Sequence, residues 1–211
     1  MTDLLSFLPG FGAAYAILII ASSSPGPAVA FLLGLALSNG RAPALTAALG
    51  ITAGSVLLNL VTLLGVGLIL SQIAWAMTLL KLAGGAYLLW LAWGSLKKAV
   101  HPPDLTPLSV APMRLCNAFV AGFLLQIMNP KAIAFWLAIA TVGATQGGGP
   151  MVVLAFVVGA FLISFGCHGA WALLLSSTPI RTSYATARRW VDATLGAFFI
   201  FAGLKLALSR T

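Results

Sequence analysis

Acidic residues are nearly missing from this chain of 211 residues, which contains three aspartates and no glutamate. Only 7% of its residues are charged, whereas an ordinary soluble domain carries about 25%. The absence of glutamate excludes chemistry that depends on this side chain, including the HExxH zinc motif. The two cysteines, Cys116 and Cys167, are too few for a disulfide framework, and we interpret both as small packing residues.

Most of the chain consists of long apolar runs. Hydrophobic residues make up 61% of the chain, and its mean hydropathy is +1.07. A membrane-spanning helix needs about 20 predominantly apolar residues, and six runs approach or exceed that length. We therefore predict an all-α integral membrane protein that forms a single membrane domain, residues 1–211. Its six transmembrane helices are expected at approximately 11–38, 43–70, 73–96, 115–142, 150–176 and 189–208.

The first and the fourth of these runs are interrupted near their centres by helix-breaking residues. The first carries Ser-Pro-Gly-Pro at residues 24–27, and the fourth carries Met-Asn-Pro-Lys at residues 128–131. Proline removes a backbone donor and clashes with the preceding turn, and irregular backbone at membrane depth is tolerated only inside protein or along a cavity. Paired interruptions indicate the binding site of a secondary transporter. The predicted substrate-binding residues are Pro25, Gly26, Pro27, Asn129, Pro130 and Lys131.

The two halves of the chain resemble each other. A proline-rich linker at residues 99–113 separates a first repeat, about 1–98, from a second repeat, about 114–211. Similar residues follow both interruptions, with Ala-Val-Ala-Phe beginning at Ala28 and Ala-Ile-Ala-Phe beginning at Ala132. Because each half has three spans, two copies of one unit must enter the membrane in opposite orientations. We therefore predict a 3+3 inverted repeat.

The net charge of +8 is explained by basic residues in the loops of a membrane protein. The basic residues are spread over the ends of loops and do not form one face, so we expect no nucleic-acid partner. With six spans, one side of the membrane would hold Arg41, Lys97, Lys98, Arg114, Arg181, Arg188 and Arg189, and the other only Lys205 and Arg210. The positive-inside rule assigns the first group to the cytoplasm. Both termini would then lie outside the bacterial inner membrane.

Several polar residues fall within the apolar runs. Lys131 lies near the middle of a span, where a charge costs about 2.5–3.5 kcal/mol, so we expect a cavity, a counter-charge or a substrate carboxylate near it; the alternative is snorkelling to an interface. Lys81 lies near a span end and is either functional or an anchor. His168 is either a proton relay or a bridge between helices. Asp192 is expected to form an interfacial ion pair with Arg188 or Arg189.

Small and aromatic residues leave further alternatives open. The pair Gly50 and Gly54 matches the pattern that lets helices approach closely, either within a subunit or between subunits. Phe31, Phe135 and Trp136 flank the interruptions and either shape a pocket or face lipid. The interruptions themselves could kink two helices for packing alone.

Taken together, the motifs resemble those of the lysine exporter (LysE/RhtB) family of bacterial amino-acid exporters. The resemblance covers essentially the whole chain and depends on Ser-Pro-Gly-Pro at 24–27, Ser-Asn-Gly-Arg at 38–41, the pair Gly50 and Gly54, and Asn-Pro-Lys-Ala at 129–132. It implies efflux of amino acids or related small metabolites from the cytoplasm, driven by an ion gradient with H⁺ as the candidate coupling ion. The predicted inverted repeat leads to the hypothesis of a secondary exporter that works by alternating access, with the two repeats rocking about a central site.

This chain departs from the family at one position. Family members often carry an aspartate directly after Pro-Gly-Pro, whereas this chain has Ala28. A carboxylate at that depth would be the natural partner of a substrate ammonium or a coupling proton. Its absence disfavours a cationic substrate such as lysine and a simple proton-coupling scheme through that site, and it favours neutral amino acids or other small polar metabolites.

The alternative function is an ion or metal permease on the same inverted scaffold, which predicts carboxylate, cysteine or histidine ligands beside the interruptions. We expect no enzyme activity, because the chain has no GxSxG or CxxC motif, and we expect no cofactor. The expected partners are a small-molecule substrate and the lipid bilayer. A homodimer is a further hypothesis, since three spans per half make a small transporter.

Overall fold

The computed structural model describes residues 4–72, 74–101 and 111–208, and within these ranges it contains helices and turns but no strand. A short 3-10 turn at Leu4–Phe7 precedes eight α-helices. Their bounds are α1 Leu8–Ser23, α2 Pro27–Ser38, α3 Arg41–Gln72, α4 Ala74–Val100, α5 Leu115–Ile127, α6 Pro130–Ala140, α7 Pro150–Leu174 and α8 Thr178–Leu208. Most of the predicted proline-rich linker, residues 102–110, lies outside the described residues.

Both interruptions fall where the sequence predicts them. α1 ends at Ser23 and α2 begins at Pro27, while α5 ends at Ile127 and α6 begins at Pro130. Each second half-helix starts on a proline because the first helical position has no intrahelical acceptor for an N–H, so its loss costs nothing there. α5 and α6 meet at a bend of 60°. The prolines therefore end one helix and start the next one in a new direction.

Among the described residues, three helical segments are long and apolar enough to cross a membrane, namely Leu4–Ser23, Arg41–Gly65 and Pro150–Leu174. The bent pair α5 and α6 would make a fourth span. These helices agree with the predicted membrane protein, whereas the count of six spans stays a prediction. α8 begins at Thr178, well before the boundary expected at 189. Its second residue is Pro179, a helix-start signal that a search for apolar runs overlooks.

Small residues allow the helices to pack closely around α3. This helix contacts α5 and α7, while α4 packs mainly against α8. A Cβ on Gly50 would lie 2.0 Å from the main-chain oxygen of Phe119, and one on Gly122 would lie 2.3 Å from the oxygen of Ala47. Such distances leave no room for any side chain. The small-residue pattern at Gly50 and Gly54 thus serves packing within the subunit, against α5.

An aromatic cluster fixes α1 against α7. Tyr15 stacks on Phe156 with ring centroids 5.2 Å apart, and its hydroxyl donates to the oxygen of Phe156 at 3.0 Å. Gly159 makes room for that hydroxyl, since a Cβ there would lie only 2.2 Å from it. Stacked or tilted aromatic pairs add stabilisation beyond the burial of their area. This cluster holds the half-helix that leads into the first interruption.

We expect Gly122→Ala to destabilise the protein, because even a methyl group would collide with the backbone of α3. Overpacking of this kind costs about 1–3 kcal/mol, which should lower the melting temperature in detergent by several degrees. Gly12→Ala is the matched control, since nothing lies within 4 Å of a Cβ at Gly12. Equal melting temperatures for the two variants would contradict the close approach of α3 and α5.

Candidate functional site

One cavity lies between the two interruptions. Four of the six predicted site residues line it, while Pro25 and Pro130 do not; the four are Gly26, Pro27, Asn129 and Lys131. The first two belong to the first half of the chain and the last two to the second half. Tertiary packing therefore brings together two segments that are about a hundred residues apart in the sequence. Their role in binding a substrate stays a prediction.

Lys131 bridges the gap between the interruptions. Its Nζ donates to the main-chain oxygen of Ser24 at 2.9 Å and also contacts Ser24 Oγ. The side chain thus satisfies a carbonyl beside the break in the other half of the chain, and it does not snorkel to an interface. A lysine ammonium has three donors, of which Ser24 uses two among the described residues. The structure gives no acceptor for the third among the described residues.

Gly26 provides the space that Lys131 occupies. Its backbone is extended, with φ −173° and ψ −167°, a conformation that other residues also adopt. A Cβ at this position would lie 3.2 Å from Lys131 Nζ and 3.4 Å from its Cδ. A side chain here would therefore crowd the flexible end of Lys131, while the backbone itself does not demand glycine.

The two half-helices that follow the interruptions are capped differently. Asn129 Oδ1 accepts from the main-chain N–H of Lys131 at 3.0 Å, so a side chain caps α6. α2 has no side-chain cap, and the first N–H groups of a helix have no intrahelical acceptor. Ala28 and Val29, which follow Pro27, both line the cavity. The uncapped, electropositive start of α2 therefore borders the cavity.

A chain of polar side chains forms another wall. Gln126 Nε2 donates to Ser55 Oγ at 2.8 Å, and Ser164 Oγ lies 3.5 Å from Ser55 Oγ. His168 Nδ1 lies 2.9 Å from the main-chain oxygen of Ser164. This chain connects α5, α3 and α7 within the buried part of the protein.

Sequence reasoning noted His168 but not the two serines in this wall. Ser164 precedes His168 by four residues, one helical turn, so both lie on the same face of α7. That spacing could have identified Ser164. Ser55 follows Gly54, and no pattern on α3 alone marks it, because its partners belong to other helices.

Aromatic residues close the cavity on its apolar side. Phe135 and Trp136 are each 3% exposed and line it. Of the two predicted alternatives, these residues therefore shape a pocket and do not face lipid. Phe31 packs against a separate core cluster. The space open to water in the cavity is about 40 Å³, enough for roughly three waters at about 10–15 Å³ each.

Asp192 is not among the residues that line the cavity. Asp192 pairs with Arg188 at 3.6 Å, as predicted, but its side chain is only 1% exposed. The described residues contain no group of three or more histidine, cysteine or acidic side chains that could hold a metal ion. The side chain of Lys81 lies outside the described part of the chain.

The chain resembles several known proteins over most of its length. The chain is 31% identical to a threonine efflux protein of Escherichia coli, with 91% of this chain and 94% of the relative covered. It is 29% identical to a threonine efflux protein of Salmonella typhimurium, with the same coverage. A relative named chemotactic transduction protein ChpE, from Pseudomonas aeruginosa, is 30% identical and covers 77% of this chain and 83% of its own length. No solved structure gives a significant match.

The model of one protein family, described as LysE type translocator, matches residues 19–210. The match includes both interruptions and every residue that lines the cavity except Leu18. Since it spans nearly the whole described fold, this membrane protein belongs to the family of LysE type translocators, whose members are transporters.

Proposed function

We propose that the protein is a secondary transporter that exports neutral amino acids, or related small metabolites, from the cytoplasm across the bacterial inner membrane by alternating access. The main support for this proposal is that both interruptions border the same cavity. Substrate sites in transporters built from repeats lie at the repeat interface, beside discontinuous helices. Two relatives are named threonine efflux proteins, so threonine is the first substrate to test.

The cavity offers complementary groups for the carboxylate of an amino acid. Lys131 keeps one donor, and the uncapped start of α2 adds N–H groups and a positive dipole. Helix N-termini of this kind bind anions, and the half-helices of transporters use them for substrate carboxylates. Together with Asn129, these groups make up the proposed substrate contacts, while Pro25 and Pro130 contribute by ending the helices.

A neutral substrate fits the charge of the cavity. The described residues that line it include a lysine and a histidine but no carboxylate. A lysine or arginine substrate would place its side-chain cation there without a counter-charge, at a high desolvation cost. The walls are otherwise small or apolar, as at Ala21, Ala28 and Ala132, and they suit a compact side chain.

The contact between α4 and α8 supports the 3+3 inverted repeat with six spans. An offset of 111 residues relates Gly85 to Gly196 and Ala92 to Gly203. A Cβ on Gly85 would lie 2.9 Å from the oxygen of Gly203, and one on Gly196 would lie 3.4 Å from the oxygen of Ala92. The same contact thus occurs twice, with the roles of the two helices exchanged. The helix contacts show a second case of this exchange. α2 packs against α7, and α6, which corresponds to α2 in the proposed repeat, packs against α3, which corresponds to α7.

Transport requires that this cavity open. Its volume of about 40 Å³ suits a few waters, so we infer a closed state. The Lys131–Ser24 contact joins the two proposed repeats, and a substrate carboxylate would compete with Ser24 for the ammonium.

We further propose H⁺ as the coupling ion and a homodimer as the assembly; a monomeric mass in both mild detergent and nanodiscs would contradict the dimer.

Export can be measured in cells fed with dipeptides of threonine and other neutral amino acids. We expect wild type to export one or a few amino acids faster than the empty vector. Lys131→Ala should reduce that rate by about tenfold or more, since hydrogen bonds to charged groups are worth about 1.5–3 kcal/mol. Lys97→Ala, at an exposed position near the end of α4, is the matched control and should export normally.

Two results would count against the proposal. Wild type that matches the empty vector for every amino acid, while present in the membrane, would reject amino-acid export. Equal rates for Lys131→Ala and Lys97→Ala would reject Lys131 as a binding residue. The panel should include lysine, because export of lysine in preference to neutral amino acids would reject the proposed charge selectivity.

Gly26→Val should abolish most export, because the added side chain would displace Lys131 from Ser24. In the Lys131→Ala background the same substitution should have little further effect, since the obstructed side chain is then absent. A double-mutant cycle of export rates measures this coupling. Additive effects of the two substitutions would show that Gly26 acts independently of Lys131.

Labelling of single cysteines can test the proposed orientation, after replacement of Cys116 and Cys167. We expect Gln146→Cys, in the exposed turn before α7, to react with a membrane-impermeant thiol reagent in intact cells. Ser38→Cys, at the end of α2, should react only after permeabilisation, because the positive-inside rule places the adjacent Arg41 in the cytoplasm. The reverse pattern would invert the topology, and labelling of both from outside would contradict six spans.

A further inference from the structure

The ring of His168 is held by one nitrogen only. This residue of α7 is 4% exposed and lines the cavity. Its Nδ1 lies 2.9 Å from the main-chain oxygen of Ser164. Since a carbonyl oxygen only accepts hydrogen bonds, Nδ1 must carry the hydrogen. In the neutral ring, Nε2 is then an acceptor without a hydrogen.

The fold itself makes no use of that acceptor. Nε2 has no hydrogen-bond partner among the described residues, whereas the other side chains of the polar wall are bonded to one another. The bonds of Ser164 and Ser55 hold α7 against α3, so the ring has a fixed support behind it. His168 lines the cavity, so an acceptor that no described protein group uses is available there to a ligand that donates.

Serine hydroxyls and the amides of Gln126 and Asn129 also line the cavity and can both donate and accept, but two other groups there differ from Nε2 in character. Lys131 Nζ and the first N–H groups of α2 can only donate, so they fit a carboxylate. His168 Nε2 can only accept, so it fits an ammonium. A molecule with both groups on adjacent atoms is an α-amino acid in its zwitterionic form.

We propose that His168 Nε2 accepts a hydrogen bond from the substrate's α-ammonium, so that the site requires a free α-amino group as well as a carboxylate. This inference rests on the proposed exporter function and adds the side chain that binds the substrate's α-ammonium. A 2-hydroxy acid would make a weaker, uncharged hydrogen bond to Nε2. A 2-oxo acid would present only acceptors to it and be rejected more strongly.

The experiment uses the purified full chain in proteoliposomes and counterflow of labelled L-threonine, or of the neutral amino acid that the efflux screen identifies. Competitors are the unlabelled amino acid and its 2-hydroxy and 2-oxo counterparts. Two variants separate the roles of the ring nitrogens. In His168→Asn the side-chain amide replaces Nδ1 and its hydrogen bond to Ser164 but does not reach the position of Nε2. In His168→Gln the longer side chain brings its amide to the position of Nε2. Cys167→Ala, on the preceding residue, is the control for insertion and folding.

Wild type should prefer the amino acid to its 2-hydroxy counterpart by about tenfold or more, as expected for a charge-assisted hydrogen bond. His168→Asn should weaken competition by the amino acid by about tenfold, while competition by the 2-hydroxy acid changes little. The preference would then collapse, and His168→Gln should restore most of it. Cys167→Ala should keep the wild-type preference.

Four results would overturn the inference. The first is a wild type that accepts the 2-oxo acid as readily as the amino acid. The second is a His168→Asn variant that keeps the wild-type preference, or in which competition by the amino acid and by the 2-hydroxy acid is weakened equally. The third is loss of both His168 variants from the membrane while Cys167→Ala inserts. The second or the third result would assign His168 a structural role. Absence of counterflow for every amino acid in wild type would instead reject the proposed function, and this inference with it.

Discussion

The broken backbone at the two interruptions is the constraint on which the rest of the site depends. A carbonyl or N–H that is left unpaired at membrane depth costs several kcal/mol, so the breaks need hydrogen-bond partners outside the helical ladder. The oxygen of Ser24 accepts from Lys131 Nζ in the other half of the chain, and Asn129 caps the start of α6 within its own break. The first break therefore depends on the second half of the chain, and neither half can form the cavity alone.

The two halves share a backbone plan but differ in chemistry. Both have a half-helix that begins on a proline after a short break. The second break supplies the lysine and the capping asparagine, while the first leaves its helix start uncapped and offers a glycine beside the lysine. A cavity between two breaks that carry unlike residues can bind a molecule whose two ends are unlike. This is the physical basis for the proposed recognition of a zwitterion.

Close helix packing holds these groups in position. The glycines of α3 and α5 bring backbone within van der Waals distance of backbone, and the Tyr15–Phe156 stack fixes α1 on α7. Without a hydrophobic force between helices in lipid, such packing supplies much of the association energy. It also aligns Ser55, Gln126 and Ser164 so that their hydroxyl and amide groups satisfy one another across three helices.

The sequence by itself determined the membrane class, the two helix breaks and four of the residues that line the cavity, because proline chemistry and apolar run length act locally. It could not identify the partner of Lys131, since Ser24 lies 107 residues away. It also missed Ser55 and Ser164 and left Phe135 and Trp136 undecided between lipid and pocket. Those outcomes depend on which faces of different helices meet, and only tertiary packing decides that.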